Sequence, residues 1–197
     1  MVIASMNHTT AKLRQEERDS FYNVRSYHDS SVRYIIAGMY GDAIQSITNG
    51  LLGLGVAFPN QSDEDLSSFH SFIDEEDLKK KQLDQYVIDA NPAGQYYSQS
   101  LTGPDLTTAM IYNLALSFHL YSTTNSKKED DTYNAMLNQT FTLYKEAERR
   151  LEESEKFSSL LLSVQNNICH LIHQALLRRT NQTNINNSKE HPKDLSK

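Results

Sequence analysis

Apolar residues recur at helical spacing in separate stretches of this chain, and polar runs divide them. In residues 20–37, "SFYNVRSYHDSSVRYIIA", the side chains of Phe21, Val24, Tyr27, Ser31, Tyr34 and Ile35 share one helical face, and Gly38 ends the run. A second helix is predicted from about Tyr40, with Ala43, Ile44, Ile47, Leu51 and Leu54 along it and Gly53, Gly55 and Pro59 weakening and stopping it. From Asn60 to Gly103 the period fails. Asp63 to Asp65, Asp74 to Asp77 and Lys79 to Lys81 form a mixed charge run with few apolar residues, the signature of a long irregular insertion. Within it, "YVIDANPAGQYYSQSL" reads as extended chain, with Tyr86, Val87 and Ile88 opposite Tyr96 and Tyr97 across an Asn-Pro-Ala-Gly turn signal. Either a small hairpin or a strand laid over the helices is expected there.

Helix resumes after "TGPD", where Thr102 or Gly103 can cap and Pro104 suits the first turn. Ile111, Leu114, Ala115 and Phe118 then form an apolar stripe, with Asn113 and His119 on the other side. "STTNSKKEDD" is a loop signal, and Asp131 opens the next helix, predicted to run to about Phe157 through Leu137, Phe141, Tyr144, Ala147 and Leu151. A last helix begins at Ser158 or Ser159 and carries Leu161, Val164, Ile168, Cys169, Ile172 and Leu176. The organisation is therefore a polar extension over 1–19, a helical domain over 20–179 and a polar, disordered tail over 180–197. The domain divides into a helical pair (20–57), the insertion (58–103), a second pair (104–157) and a capping or half repeat (158–179).

Composition narrows the function classes. A chain of 197 residues supports one domain with tails. The net charge of -6 disfavours a nucleic-acid grip, which needs clustered cations to displace phosphate counterions. One cysteine, Cys169, excludes an intrachain disulfide and a cysteine-rich zinc site. With no apolar run of signal-peptide or membrane-span length, a cytoplasmic or nuclear location is expected, and no membrane partner.

The helical pairs also repeat one another. Tyr27, Ser30, Ser31 and Tyr34 hold the spacing W-x2-L-G-x2-Y, and Ala43 and Ile47 follow as A-x3-F. Ile111, Leu114, Ala115 and Phe118, then Thr140, Tyr144 and Ala147, occupy the same places in the second pair; Gln165, Ile168, Cys169 and Ile172 supply a first half alone. This pattern resembles the tetratricopeptide repeat (TPR). The wording "IYNLALSFHL", "LYKEAERRLEE" and "VQNNICHLIHQAL" is similar to a divergent branch of that family abundant in diatoms, over residues 24–57 and 105–179. The resemblance implies an all-α, short α-solenoid of about two and a half helix-turn-helix repeats, near the lower limit at which stacking stabilises such a fold.

In such a stack the first helix of each pair lines a concave groove that binds a peptide or helix of another protein. Carried over position by position, the groove receives His28 and Val32 from the first pair and Tyr112, Asn113, Leu116 and His119 from the second. Asn166, Asn167, His170, His173 and Gln174 come from the third. Asparagine and glutamine amides offer a donor and an acceptor together, which suits an extended main chain; Asn113 and Asn167 could equally cap or bridge neighbouring helices. The family's carboxylate clamp for chaperone tails needs several Lys and Arg beside its Asn residues. Only Asn113 matches that set, so chaperone-tail binding is not expected.

His170 and His173 stand one turn apart, a spacing metals use, with His119 as a third candidate, but no acidic or thiolate ligand accompanies them. No phosphate loop, His-Glu-x-x-His or nucleophile elbow is present. The expectation is a non-catalytic protein-interaction scaffold without cofactor or metal. The alternative is a helical metal-binding protein or enzyme using the groove histidines. On the convex side, Glu146 with Arg150 and Glu152 with Lys156 are expected as i,i+4 pairs on a solvated face.

Overall fold

The computed structural model of the chain describes residues 22–56, 87–95, 103–125, 130–154 and 158–189. The polar N-terminal extension, the acidic runs of the insertion, Lys156 of the expected Glu152 to Lys156 pair and residues 190–197 lie outside them. All regular structure among the described residues is helical. Helix α1 spans 22–36, α2 Tyr40–Gly53, α3 Gly103–Thr124, α4 Asp130–Glu152 and α5 Ser158–Lys189, and a short 3-10 turn spans Ala93–Gln95.

The first two helices end for the same local reason. Gly38 and Gly55 take positive φ, +73° and +68°. At α1 the Gly38 amide donates to the Ile35 carbonyl and the Met39 amide to the Tyr34 carbonyl. At α2 Gly55 donates to Leu52 and Val56 to Leu51. Both ends are Schellman motifs, which a residue with a Cβ enters at a steric cost. In α3, Pro104 occupies the opening turn as expected, and Gly103, a candidate cap, is the first helical residue.

Packing is sequential. α2 packs against α3, α3 against α4 and α4 against α5, and the 3-10 turn touches α3. One continuous core results, centred on Tyr112, Met110, Leu114 and Leu116 of α3, Phe141 and Tyr144 of α4, and Leu160 and Val164 of α5. Gly50 of α2 sits where an added Cβ would run into Met110 and Tyr27, so α1, α2 and α3 meet closely around it. Ser46 ties the same pair by donating to the Tyr27 carbonyl, 3.0 Å. Near the other end, the Arg178 guanidinium lies 3.7 Å over the Tyr133 ring and joins α5 to α4.

Two expectations change and one resolves between its alternatives. The "YVIDANPAGQ" segment forms no hairpin among its described residues and instead takes the other course, extended chain laid over the helices: 87–92 runs without a ladder, and main-chain groups of Val87, Asp89 and Ala93 bond to helical side chains. Tyr86, Tyr96 and Tyr97 lie outside the described residues. The last helix continues to Lys189 rather than stopping at 179, because "TNQTNINNSK" holds no Gly or Pro and a helix already nucleated by packing extends at small cost through Asn and Thr. Helix α4 ends at Glu152, short of Phe157.

Candidate functional site: a main-chain segment held by side-chain amides

Residues 87–95 lie across three helices, with their first part on α5, their middle on α3 and their end against α1. The α5 contacts come from one face. Asn167 receives the Asp89 amide N–H on Oδ1 (2.8 Å) and donates from Nδ2 to the Asp89 carbonyl (3.0 Å), so one side chain satisfies both main-chain groups of one residue. Asn166 donates to the Val87 carbonyl at 2.8 Å. Ser163, one turn before Asn167, donates its hydroxyl to the Asp89 carboxylate at 2.6 Å. The same carboxylate accepts from the amide and side chain of Asn91, at 3.2 and 2.8 Å, and closes a local turn.

On α3 the Tyr112 hydroxyl donates to the Asn91 carbonyl at 3.1 Å. Asn113 Oδ1 accepts the Ala93 amide at 2.7 Å. Asn113 is fully buried, and its Nδ2 has no hydrogen-bond partner among the described residues. Where the segment meets α1, an added Cβ on Gly94 would lie 2.9 Å from Val32 Cγ2 and 3.6 Å from His28 Cε1. Pro92 and Ala93 are buried, so this end is held by volume.

Further along the α3–α5 seam the partners change. His119 Nε2 meets His170 Nδ1 at 3.1 Å, and His119 Nδ1 meets the Tyr144 hydroxyl at 3.2 Å. The His119 ring stands edge-on to Tyr144, which also faces Tyr112, ring centroids 5.8 and 6.1 Å apart. Burial drives the His119 pKa down to about 3, with the neighbouring His170 adding to the effect and Gln174 opposing it. Burial also lowers His170, helped by His173, and lowers His28 against the pull of Asp29. Burial raises the Tyr144 hydroxyl well above its ordinary value, with an interaction from Asn167 working the other way. His119, His170 and Tyr144 are therefore neutral near pH 7, and the hydrogen bonds among them run between uncharged groups.

The predicted site residues thus separate into two groups. His28, Tyr112, Asn113, Asn166 and Asn167 gather around the segment. His119, His170, His173 and Gln174 form the histidine network beside it. Leu116 is core. Asn113 and His119, expected on an open face, are fully enclosed because α3 is covered on all sides. Sequence reasoning missed Ser163, although its i,i+4 relation to Asn167 marks it for the same face. It also missed Asp89, Ala93 and Gly94, which local periodicity has no means of placing on α5, α3 and α1. Among the described residues no group of three or more His, Cys, Asp or Glu side chains is gathered to hold a metal ion, and no helix is long and apolar enough to cross a membrane.

No protein-family model, curated protein or solved structure matches this chain.

Proposed function

We propose that this protein is a non-catalytic interaction module, a TPR-like scaffold whose groove takes an extended peptide of a partner protein. The single observation that carries the reading is the Asn167 side chain, which bonds the amide and the carbonyl of Asp89 together. An amide placed this way recognises main chain, which any extended peptide presents. Asn166 and Asn113 extend the same chemistry to Val87 and Ala93, along the direction an extended ligand would run. The repeat spacing, the sequential helix packing and the location of these residues on α1, α3 and α5 support a stacked-pair arrangement with the first helices lining the groove. Asn113, Asn166 and Asn167 on this face hold main chain, which favours binding over chemistry.

The test uses the full chain carrying Ala93→Glu/Gly94→Val, which drives the internal segment out by burying a charge at an enclosed site and by overfilling the contact with Val32. A displayed library of random peptides is selected on this chain and on the same chain with Asn113→Ala/Asn167→Ala added. Enrichment of peptides on the first chain alone is the expected result. No enrichment on either, with helix content retained by circular dichroism, removes the binding reading. The rival reading, a metal or catalytic centre on His119, His170 and His173, draws on the 3.1 Å approach of two ring nitrogens. Stoichiometric zinc or iron in purified protein would put it first.

A further inference from the structure

The segment that fills the face also specifies what else would fit there. Position by position, residues 87–94 meet different demands. Val87 is exposed in its side chain and is held, among the described residues, through its carbonyl, so its place selects no side chain. Ile88 is half-buried against the core and favours an aliphatic group. Asp89 is bound three ways, through its amide and carbonyl by Asn167 and through its carboxylate by Ser163. Ala90 is exposed and free to vary. Asn91 turns the chain onto the Asp89 carboxylate and offers its carbonyl to Tyr112.

The next three positions are selected by space and by the loss of a donor. Pro92 is buried and has no N–H to satisfy. Ala93 is fully enclosed while its amide reaches Asn113, so a larger side chain would have to displace packed atoms. Gly94 faces Val32 at a distance that refuses a Cβ.

Resting on the peptide-binding reading above, we infer that the groove's partner ligand is an extended peptide of the form aliphatic-Asp-x-Asn-Pro-Ala-Gly, and that residues 87–95 are its internal stand-in. The observations define both halves of a recognition site: main-chain bonds that supply affinity, and an acidic and a small-residue position that supply selectivity. A segment tethered to its own site competes at an effective concentration on the order of millimolar, so a partner peptide gains access when it matches the pattern better or when the segment is released.

The experiment measures fluorescence anisotropy of a labelled peptide, VIDANPAGQ, with the full chain carrying Ala93→Glu/Gly94→Val. Binding at least ~10-fold tighter than to the unaltered chain is expected, because the internal competitor is gone. Peptides with Asp changed to Ala, or Gly changed to Val, should bind at least ~10-fold more weakly, and Asn167→Ala in the opened chain should weaken the parent peptide by a similar factor. A second opened chain, Asp89→Arg, alters only a half-buried position of the segment; results are taken from whichever chain keeps the helical circular dichroism of the unaltered protein. Equal binding of the parent and a scrambled peptide overturns the sequence pattern and leaves the peptide-binding function standing. No binding of VIDANPAGQ, together with library peptides of unrelated sequence, also overturns the pattern alone. No binding of any peptide overturns both.

Discussion

The two halves of the α3–α5 seam bury polar side chains and satisfy them in opposite ways. In the asparagine half, Asn113 and Asn167 face outward from the helices and bond to main chain that arrives from another part of the sequence. In the histidine half, the buried His119 bonds through one ring nitrogen to the half-buried His170 and through the other to the Tyr144 hydroxyl. Buried polar groups carry a desolvation cost whichever solution is used. The difference is the source of the partner. In the asparagine half it is main chain, the chemistry that any extended segment presents, whereas in the histidine half the groups bonded to one another are side chains of α3, α4 and α5.

The largest predicted effect breaks the asparagine half. Asn167→Ala removes both of the side chain's hydrogen bonds to the Asp89 main chain, at a cost of about 2–3 kcal/mol. Denaturant unfolding checks the magnitude, and hydrogen exchange at the Asp89 amide should lose its protection in the same variant. A loss well under 1 kcal/mol would mean that water replaces the amide freely.

The histidine half responds to pH. His119 has a folded pKa of about 3 against 6.5 in the unfolded chain, so the unfolded state binds more protons between those values. Stability is therefore full above about pH 7 and falls as pH is lowered through that window. For His119 alone the loss is about 2 kcal/mol between pH 7.5 and pH 5. His28 and His170 shift in the same direction and add to it. His119→Gln should flatten the dependence relative to the unaltered protein. An unchanged slope would show that this imidazole is reached by water.

A smaller effect separates the two asparagines. Asn113→Ala loses one bond to the Ala93 amide but also removes the buried Nδ2 that has no partner among the described residues, so its cost is expected at about 1 kcal/mol, below that of Asn167→Ala. The same unfolding measurement ranks them. The reverse order would place the main restraint on the Ala93 side. The smallest change is on the outer face of α4, where Glu146 pairs with Arg149 at 2.9 Å and Arg150 at 2.6 Å near solvent. Glu146→Gln should cost less than about 0.5 kcal/mol and leave both halves of the seam as they were. A peptide-binding defect in that variant would redirect attention to the outer face of α4.

The contrast also explains how much could be read in advance. Helix positions followed from spacing, and the ends at Gly38 and Gly55 from the need for a left-handed residue after the last turn, because both are local requirements. Placing Asn113 and Asn167 on the face that meets extended chain depended on spacing combined with the repeat resemblance. Their actual partners could not be read this way. Asp89 lies far from Asn167 in sequence, and no local pattern encodes that distance.

What the sequence determined alone is the all-helical class and which side chains share each helical face, since helix period and capping act over a few residues. It did not determine where the last helix stops or what covers α3. Only the tertiary structure decided that α3 would be enclosed all round, that the seam histidines would meet as neutral rings, and that "VIDANPAGQ" would give its main-chain bonds to helical side chains in place of a hairpin partner. The physical reason is that a buried polar group accepts any partner of correct geometry, and which partner arrives depends on how distant parts of the chain pack together.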